Sequence, residues 1–402
     1  MNVVVIGGGA SGLMAAGTAA EKGHTVTVVE KNSRPARKLL ITGKGRCNVT
    51  NMCGIDEMLN SIVHNPRFLY GAFSRFTPQD TVDFFENLGV NLKVERGNRV
   101  FPQSDKAVDI VDALVAYAKS KAKIISAKAK SLVISNGAVT GVKLDDGKVI
   151  DCDRVIIATG GLSYSKTGSD GDGYVFAKQA GHTVVKTKPS LVPLEIKESY
   201  CRYLMGLSLK NISVSFEQNG KIIYNDFGEM LFTHFGVSGP VILSGSCHID
   251  EPKGVILHID LKPALSIEQL DDRVLRDFSK YSSRELSNAL NDLYPKSLIP
   301  IIIKLSGIRP DTKVSQISKE MRMRLVNITK DMRLTVSGFR PFDEAIITSG
   351  GVCTKEINPS TLESKLCKGL FFCGEVIDVD AYTGGFNLQI AFSTGRLAGN
   401  SV

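Results

Sequence analysis

The chain lacks several features that would each name a class of protein. None of its eight cysteines forms a Cys-x-x-Cys pair or falls at zinc-ligand spacing, so no structural metal is expected. No apolar run approaches the roughly 20 residues a membrane span needs. The first residues, MNVVVIGGG, already read as a strand, so no leader peptide is expected, and a cytoplasmic protein with reduced thiols is. Internal repeats and low-complexity tracts are missing too. Charge of one sign is scarce: 49 basic against 41 acidic residues leave +8 over 402 residues. That excess suits an anionic ligand and is too diffuse to imply nucleic acid. The densest basic stretch, KSKAKIISAKAK at 119–130, alternates with apolar residues as a solvated strand face does.

What is present is a glycine-rich α/β pattern at both ends. NVVVI (2–6) is a continuous apolar run, as a buried parallel strand is; GGGASG follows, then a helical MAAGTAAEKG, then HTVTVVE as a second strand. This is a βαβ unit. Residues 122–158 turn to alternation around an Asp-Asp-Gly turn at 145–147, which predicts a small meander returning to the main sheet. From 191 the style changes to short strand-like runs, and from 266 to helical periodicity. After 345 the glycine-rich α/β style returns. The expected organisation is a Rossmann-like domain, 1–190 with 331–402, split by a β-rich domain at 191–263 and a helical subdomain at 264–330.

Gly7, Gly9 and Gly12 fit G-x-G-x-x-G between a strand and a helix. Gly7 allows the tight turn, Gly9 lets backbone approach a pyrophosphate, and Gly12 lets helix and strand pack closely. The helix start offers free N–H groups and a positive dipole end to the phosphates. Glu30 ends the second strand, where a carboxylate can accept from ribose hydroxyls and disfavours a 2′-phosphate. At the far end GLFFCGEVID reads as a strand ending in Gly374-Glu375, and Gly384-Gly385 immediately precedes the last helix. Amides at Asn387, Leu388 and Gln389 would face a ligand, suiting a flavin whose N1–C2=O edge gains negative charge on reduction.

The stretches VVVIGGGASGLMAA, KLLITGKGRCNVTN, NRVFPQSDKAVDIVDAL, ATGGLSYSKTGSDGDGYVFAKQAGH, FTHFGVSGPVILSGS, ITSGGVCTKEINPSTLESK and GLFFCGEVIDVDAYTGGFNLQIAFSTGRLAG run almost end to end. On them the sequence resembles two-domain FAD flavoproteins of the glutathione-reductase and fumarate-reductase type. More closely, it resembles a bacterial flavoprotein family that includes aminoacetone oxidase and a 3-dehydro-bile-acid reductase. One departure is GKGRCN, where Lys44 replaces a glycine. The resemblance implies FAD, with Gly7, Gly9, Ala10, Ser11 and Gly12 at the pyrophosphate and Glu30 and Lys31 near the adenosine ribose. It implies further contacts from Lys38, from Gly45, Arg46, Cys47 and Asn48, and from Thr159, Gly160 and Gly161. Gly374 and Glu375 would meet the ribityl-phosphate region, Gly385, Phe386, Asn387, Leu388 and Gln389 the flavin ring, and Ala129 the adenine.

Catalytic residues are less visible, since the cofactor performs hydride transfer itself. His234 in THFGVSGP is a candidate for proton transfer or for ordering its turn. Tyr382, with Asp380, could line the pocket or serve only the loop, and Arg46 could hold an anionic group. The expected activity is hydride transfer between flavin N5 and a small organic substrate beneath the inserted domain. Reduction of an activated C=C bond is preferred over amine oxidation by oxygen, because nothing marks an amine pocket. No second G-x-G-x-x-G appears, so NAD(P)H would dock only transiently as donor. A tRNA-modifying flavoprotein would need a stronger basic surface. The expected partners are thus a small molecule, with no nucleic acid and no membrane.

LLITGKGRCNVTNMC (39–53) also invites a redox-disulfide reading through Cys47 and Cys53. In a continuous helix that spacing rises roughly 9 Å, beyond the roughly 7 Å limit between Cα atoms. Lys44 lacks Walker spacing as well. The stretch is expected to be a glycine-rich cradle for FAD.

Overall fold

In a computed structural model describing residues 1–402, the opening apolar run is β1, Asn2–Ile6, with four of its five residues buried. It carries no polar alternation because both of its faces are covered. It is followed by helix α1, Ala10–Glu21, and strand β2, Thr25–Glu30. β1 lies in the middle of a five-stranded sheet ordered Leu370–Phe372, Arg154–Ile157, β1, β2, Lys123–Ser126, paired in parallel throughout. Lys123–Ser126 thus extends the main sheet, and only Ala129–Asp151 forms the antiparallel meander. Strand Leu370–Phe372 and the C-terminal helix, Phe386–Ser401, return to this first half: a Cβ on Gly395 would sit 2.4 Å from the Ser11 carbonyl oxygen of α1.

Two compact units result, Met1–Ser190 with Pro341–Val402, and Leu191–Arg340. In the second, six strands close a barrel, and helices such as Ile267–Lys280 and Lys319–Lys330 share its core. Leu270 and Leu325 of those helices belong to one apolar cluster with Val214, Phe216 and Leu257 of the strands, so 264–330 has no core of its own. Residues 331–340, expected with the Rossmann-like domain, instead supply the strand Met332–Phe339. It pairs with Val255–Asp260 and with Leu194–Ile196 and completes the barrel. The reason is its alternation, which turns Met332, Leu334 and Val336 inward. No helix is long and apolar enough to cross a membrane.

Candidate functional site

The site grows from the turn between β1 and α1. Gly9 caps α1 without a side-chain hydrogen bond, and the first turn holds no acidic residue, so the helix's positive end is uncompensated. A Cβ placed on Gly9 would meet nothing within 4 Å, leaving open space over the helix start. Glu30, buried at the end of β2, steadies the turn: Oε2 accepts from the Gly8 amide at 2.7 Å, and Oε1 accepts from the Asn32 amide and Nδ2, both at 2.7 Å. That usage leaves Oε2 one acceptor position. Lys31 turns away to Asp170 (2.5 Å) and Asp172 (2.9 Å), so its charge is spent there. Ala129 lines a cavity of about 330 Å³ with Lys128, Lys130, Asp172 and Phe176.

In the 39–53 stretch the backbone curls through left-handed conformations at Gly43, Lys44, Gly45 and Cys47 (φ 56, 59, 84 and 59°). Arg46 reaches Glu95 and Asp105 at 2.5 Å each and stacks on Phe101 at 4.1 Å. Its guanidinium therefore braces the loop and is not free to hold a cofactor phosphate or an anionic substrate. Burial pushes the Cys47 thiol up to about 12, and burial with Glu57 nearby pushes Cys53 up to about 11. Both remain neutral, unreactive thiols at physiological pH. Cys47→Ser is accordingly expected to keep flavin content and turnover, read from visible absorbance and steady-state rate, and folded wild type should resist iodoacetamide at Cys47. The buried Oδ1 atoms of Asn48 and Asn51 and the Thr159 hydroxyl have no partner in the chain. Buried polar atoms are nearly always satisfied, so three of them in these glycine-rich stretches fit a bound polar ligand.

Lys38 lies 2.5 Å from Glu375 Oε2 and 2.6 Å from Ser163 Oγ. Glu375 Oε1 accepts from Ser163 Oγ at 2.7 Å and from the Thr348 amide at 2.9 Å. Thr348 Oγ1 in turn accepts from the Leu162 and Ser163 amides, just after Thr159, Gly160 and Gly161. Ser163 and Thr348 escaped the sequence reading because 185 residues separate them and neither stands in a glycine motif. Beside them, the Thr394 hydroxyl accepts from the Gly374 amide, and Ser11 packs beneath Gly374.

Gly385 caps the C-terminal helix at φ +103°, where a Cβ would fall 2.3 Å from the Thr50 carbonyl oxygen, so only glycine fits. This helix also lacks an acidic first turn, and its amides from Phe386 to Leu388 have no intrahelical acceptor. Asn387 pins its neighbours, its Oδ1 accepting from the Ala381 amide and its Nδ2 donating to the Ala381 carbonyl. Gln389, expected at the flavin ring, is fully buried and has no polar atom to spare. Oε1 accepts from Thr50 (2.5 Å) and Thr81 (2.9 Å), Nε2 donates to the Phe76 carbonyl (3.1 Å) and Ser393 (2.9 Å), and its amide donates to Gly385. It bolts the helix start to Thr50 instead of facing a ligand.

Of the two catalytic candidates, His234 lies in the second unit, edge-on to Phe235 at 4.9 Å. Tyr382 lies in the first, its amide donating to the Ser61 carbonyl and its ring packed on the core. Sequence reading named Asp380 but missed its partner His64, whose Nδ1 lies 2.6 Å from the buried Oδ1 across 316 residues of chain.

A family model described as the HI0933-like protein Rossmann domain matches residues 1–401. A 3-dehydro-bile acid delta(4,6)-reductase of Clostridium scindens is 34% identical over 407 residues, spanning 99% of this chain and 98% of that protein. A ribosomal RNA dihydrouridine synthase of Escherichia coli is 31% identical over 395 residues, spanning 98% and 96%. The solved 3-ketosteroid delta1-dehydrogenase of Sterolibacterium denitrificans shares the fold, with a TM-score of 0.51 at 13% identity over 99% of this chain and 98% of its own. The second relative removes the ground for excluding a nucleic-acid partner.

Proposed function

The chain belongs to the HI0933-like Rossmann family and is an FAD-dependent oxidoreductase, and from that premise we propose that it reduces a C=C bond conjugated to a carbonyl in a steroid-like enone. The observation carrying this reading is the end-to-end match to a relative whose name specifies reduction of 3-dehydro delta(4,6) substrates. Dihydrouridine formation is the same chemistry, because the uracil double bond is also conjugated to a carbonyl. The second relative therefore supports the reaction class while favouring a different substrate.

The residues present fit FAD. The open space at Gly9 and the start of α1 would receive the pyrophosphate, and the remaining acceptor position on Glu30 a ribose hydroxyl. The cavity beside Ala129 would take the adenine, and the Lys38–Glu375 pair would lie along the ribityl chain. The Phe386 to Leu388 amides and the unpartnered Asn48 and Asn51 oxygens would hold the ring edge, and Thr159 would add a hydroxyl. Bound there, the flavin supplies two-electron hydride chemistry. The chain's part is to place positive helix ends where negative charge accumulates and to keep its own thiols out of the reaction. NAD(P)H is proposed as a transient donor.

A small substrate is preferred over RNA because the basic 119–130 stretch is partly neutralised, Lys121 pairing with Glu21 and Lys128 with Asp172. The test is anaerobic. Dithionite-reduced protein is mixed with 4-androstene-3,17-dione or with a ribosomal RNA transcript, and flavin reoxidation is followed. Reoxidation by the steroid, much faster than by RNA, is expected. Reoxidation by RNA alone would make the substrate a uridine, and bleaching of the oxidised protein by aminoacetone alone would make the enzyme an oxidase.

A further inference from the structure

We propose that His64, oriented by Asp380, is the proton donor in this reduction; the proposal rests on the enone reading above. Strands Ile62–His64 and Asp380–Ala381 pair antiparallel with Asp380 directly opposite His64. The carboxylate is completely buried; Oδ1 lies 2.6 Å from His64 Nδ1, and Oδ2 accepts from the Ser190 hydroxyl at 3.2 Å. The His64 side chain is 35% exposed, and its Nε2 has no partner in the chain. A carboxylate on Nδ1 fixes the tautomer and orientation of the ring and leaves Nε2 to exchange protons.

A purely structural ion pair would suffice to join the two strands, but this one is built onto the elements that carry the proposed flavin contacts. Asn387, in the first turn of the C-terminal helix, grips both the N–H and the C=O of Ala381, the residue after Asp380. Ser349, 3.4 Å from Nδ1, follows Thr348, whose amide donates to Glu375. The dyad is thereby indexed to the helix start and to the Lys38–Glu375 network at once. His234 has no comparable carboxylate among its ring contacts.

The charged groups around His64 are Asp380 and Asp378 from the segment before the C-terminal helix and Lys188 from Val184–Ser190. The hydrogen bond that His64 Nδ1 donates to Asp380 dominates and raises the imidazole above the usual histidine value, against burial and Lys188. The acid form thus persists to higher pH than in an ordinary histidine and is lost as pH rises through that raised value. In the proton half of the reaction the Nε2–H bond breaks and a C–H bond forms at the substrate carbon alpha to the carbonyl. Bound flavin would supply the electron pair, as hydride, at the beta carbon. Neutral His64, still donating from Nδ1 to Asp380, then takes a proton from solvent.

The experiment pairs His64→Gln and Asp380→Asn with wild type. In dithionite-reduced holoenzyme mixed with 4-androstene-3,17-dione, His64→Gln is expected to slow reoxidation about 100-fold with flavin content unchanged. Asp380→Asn, a change at a positioning residue, should move the alkaline limb of the pH profile downward. In apoprotein, the His64 ring resonance, identified by its loss in His64→Gln, should titrate above the ordinary histidine range and fall in Asp380→Asn. A His64→Gln rate close to wild type overturns the proposal. A wild type inert to the steroid sinks the substrate reading instead, and the titration then decides: a His64 value at or below the ordinary range, or one indifferent to Asp380→Asn, overturns the dyad.

Discussion

A Gly9→Val protein is expected to fold as wild-type apoprotein does and to be purified without yellow colour. Gly9 has φ −81° and ψ −170°, a conformation any residue adopts, and nothing lies within 4 Å of the added Cβ. The fold therefore loses only a glycine cap, worth on the order of 1 kcal/mol. The valine methyls would occupy the space through which an anion must approach the first amides of α1. An affinity loss of at least about 100-fold, or ~3 kcal/mol, is expected. Flavin released per chain measures it, and thermal unfolding is compared between the two apoproteins, because bound FAD would itself stabilise wild type. Gly12→Val is the contrasting control: its Cβ would sit 1.9 Å from the Gly7 carbonyl oxygen, so it should fail to fold. A yellow Gly9→Val protein would move the pyrophosphate elsewhere.

Gln389→Leu should do the opposite, costing stability while the folded fraction keeps its flavin. The substitution preserves shape but removes the acceptor of the buried Thr50 hydroxyl and the donor to the Phe76 carbonyl. Thr81 can fall back on the Thr77 carbonyl at 3.2 Å, and Ser393 still donates to Phe76 at 2.7 Å. The net cost is therefore about 2–3 kcal/mol, that of stranding one or two buried groups. Chemical denaturation of the apoprotein gives the stability, and flavin per folded chain gives the binding. Loss of flavin at unchanged stability would return Gln389 to the cofactor's contacts.

Gln389 also shows where sequence reading stops. The GGFNLQ segment places six residues at a helix start, but only the fold decides which side chains of that first turn face outward. Gln389 turns into Thr50, Thr81 and Ser393, while Asn387 spends its amide on Ala381. The βαβ unit was legible because strand, glycine turn, helix and Glu30 lie within the first 30 residues and each has a local physical signature. Met332–Phe339 was assigned to the wrong unit because it follows the helices and its barrel partners, Val255–Asp260 and Leu194–Ile196, lie far upstream. Arg46 looked like an anion anchor because Glu95 and Asp105, which occupy it, lie 49 and 59 residues away. Lys38 with Glu375, and His64 with Asp380, are joined across 337 and 316 residues by strand order and pairing, which no local pattern encodes.

This chain is expected to saturate a carbonyl-conjugated double bond. The most direct test is the mass of the steroid recovered after anaerobic mixing of 4-androstene-3,17-dione with an excess of the reduced protein. A product heavier by two hydrogens is expected; when the reaction is run in D2O it should carry one deuterium at the carbon alpha to the carbonyl and, because the N5 hydrogen of reduced flavin exchanges with solvent, one at the beta carbon. Steroid recovered unchanged, or lighter by two hydrogens after incubation with the oxidised protein, would contradict it.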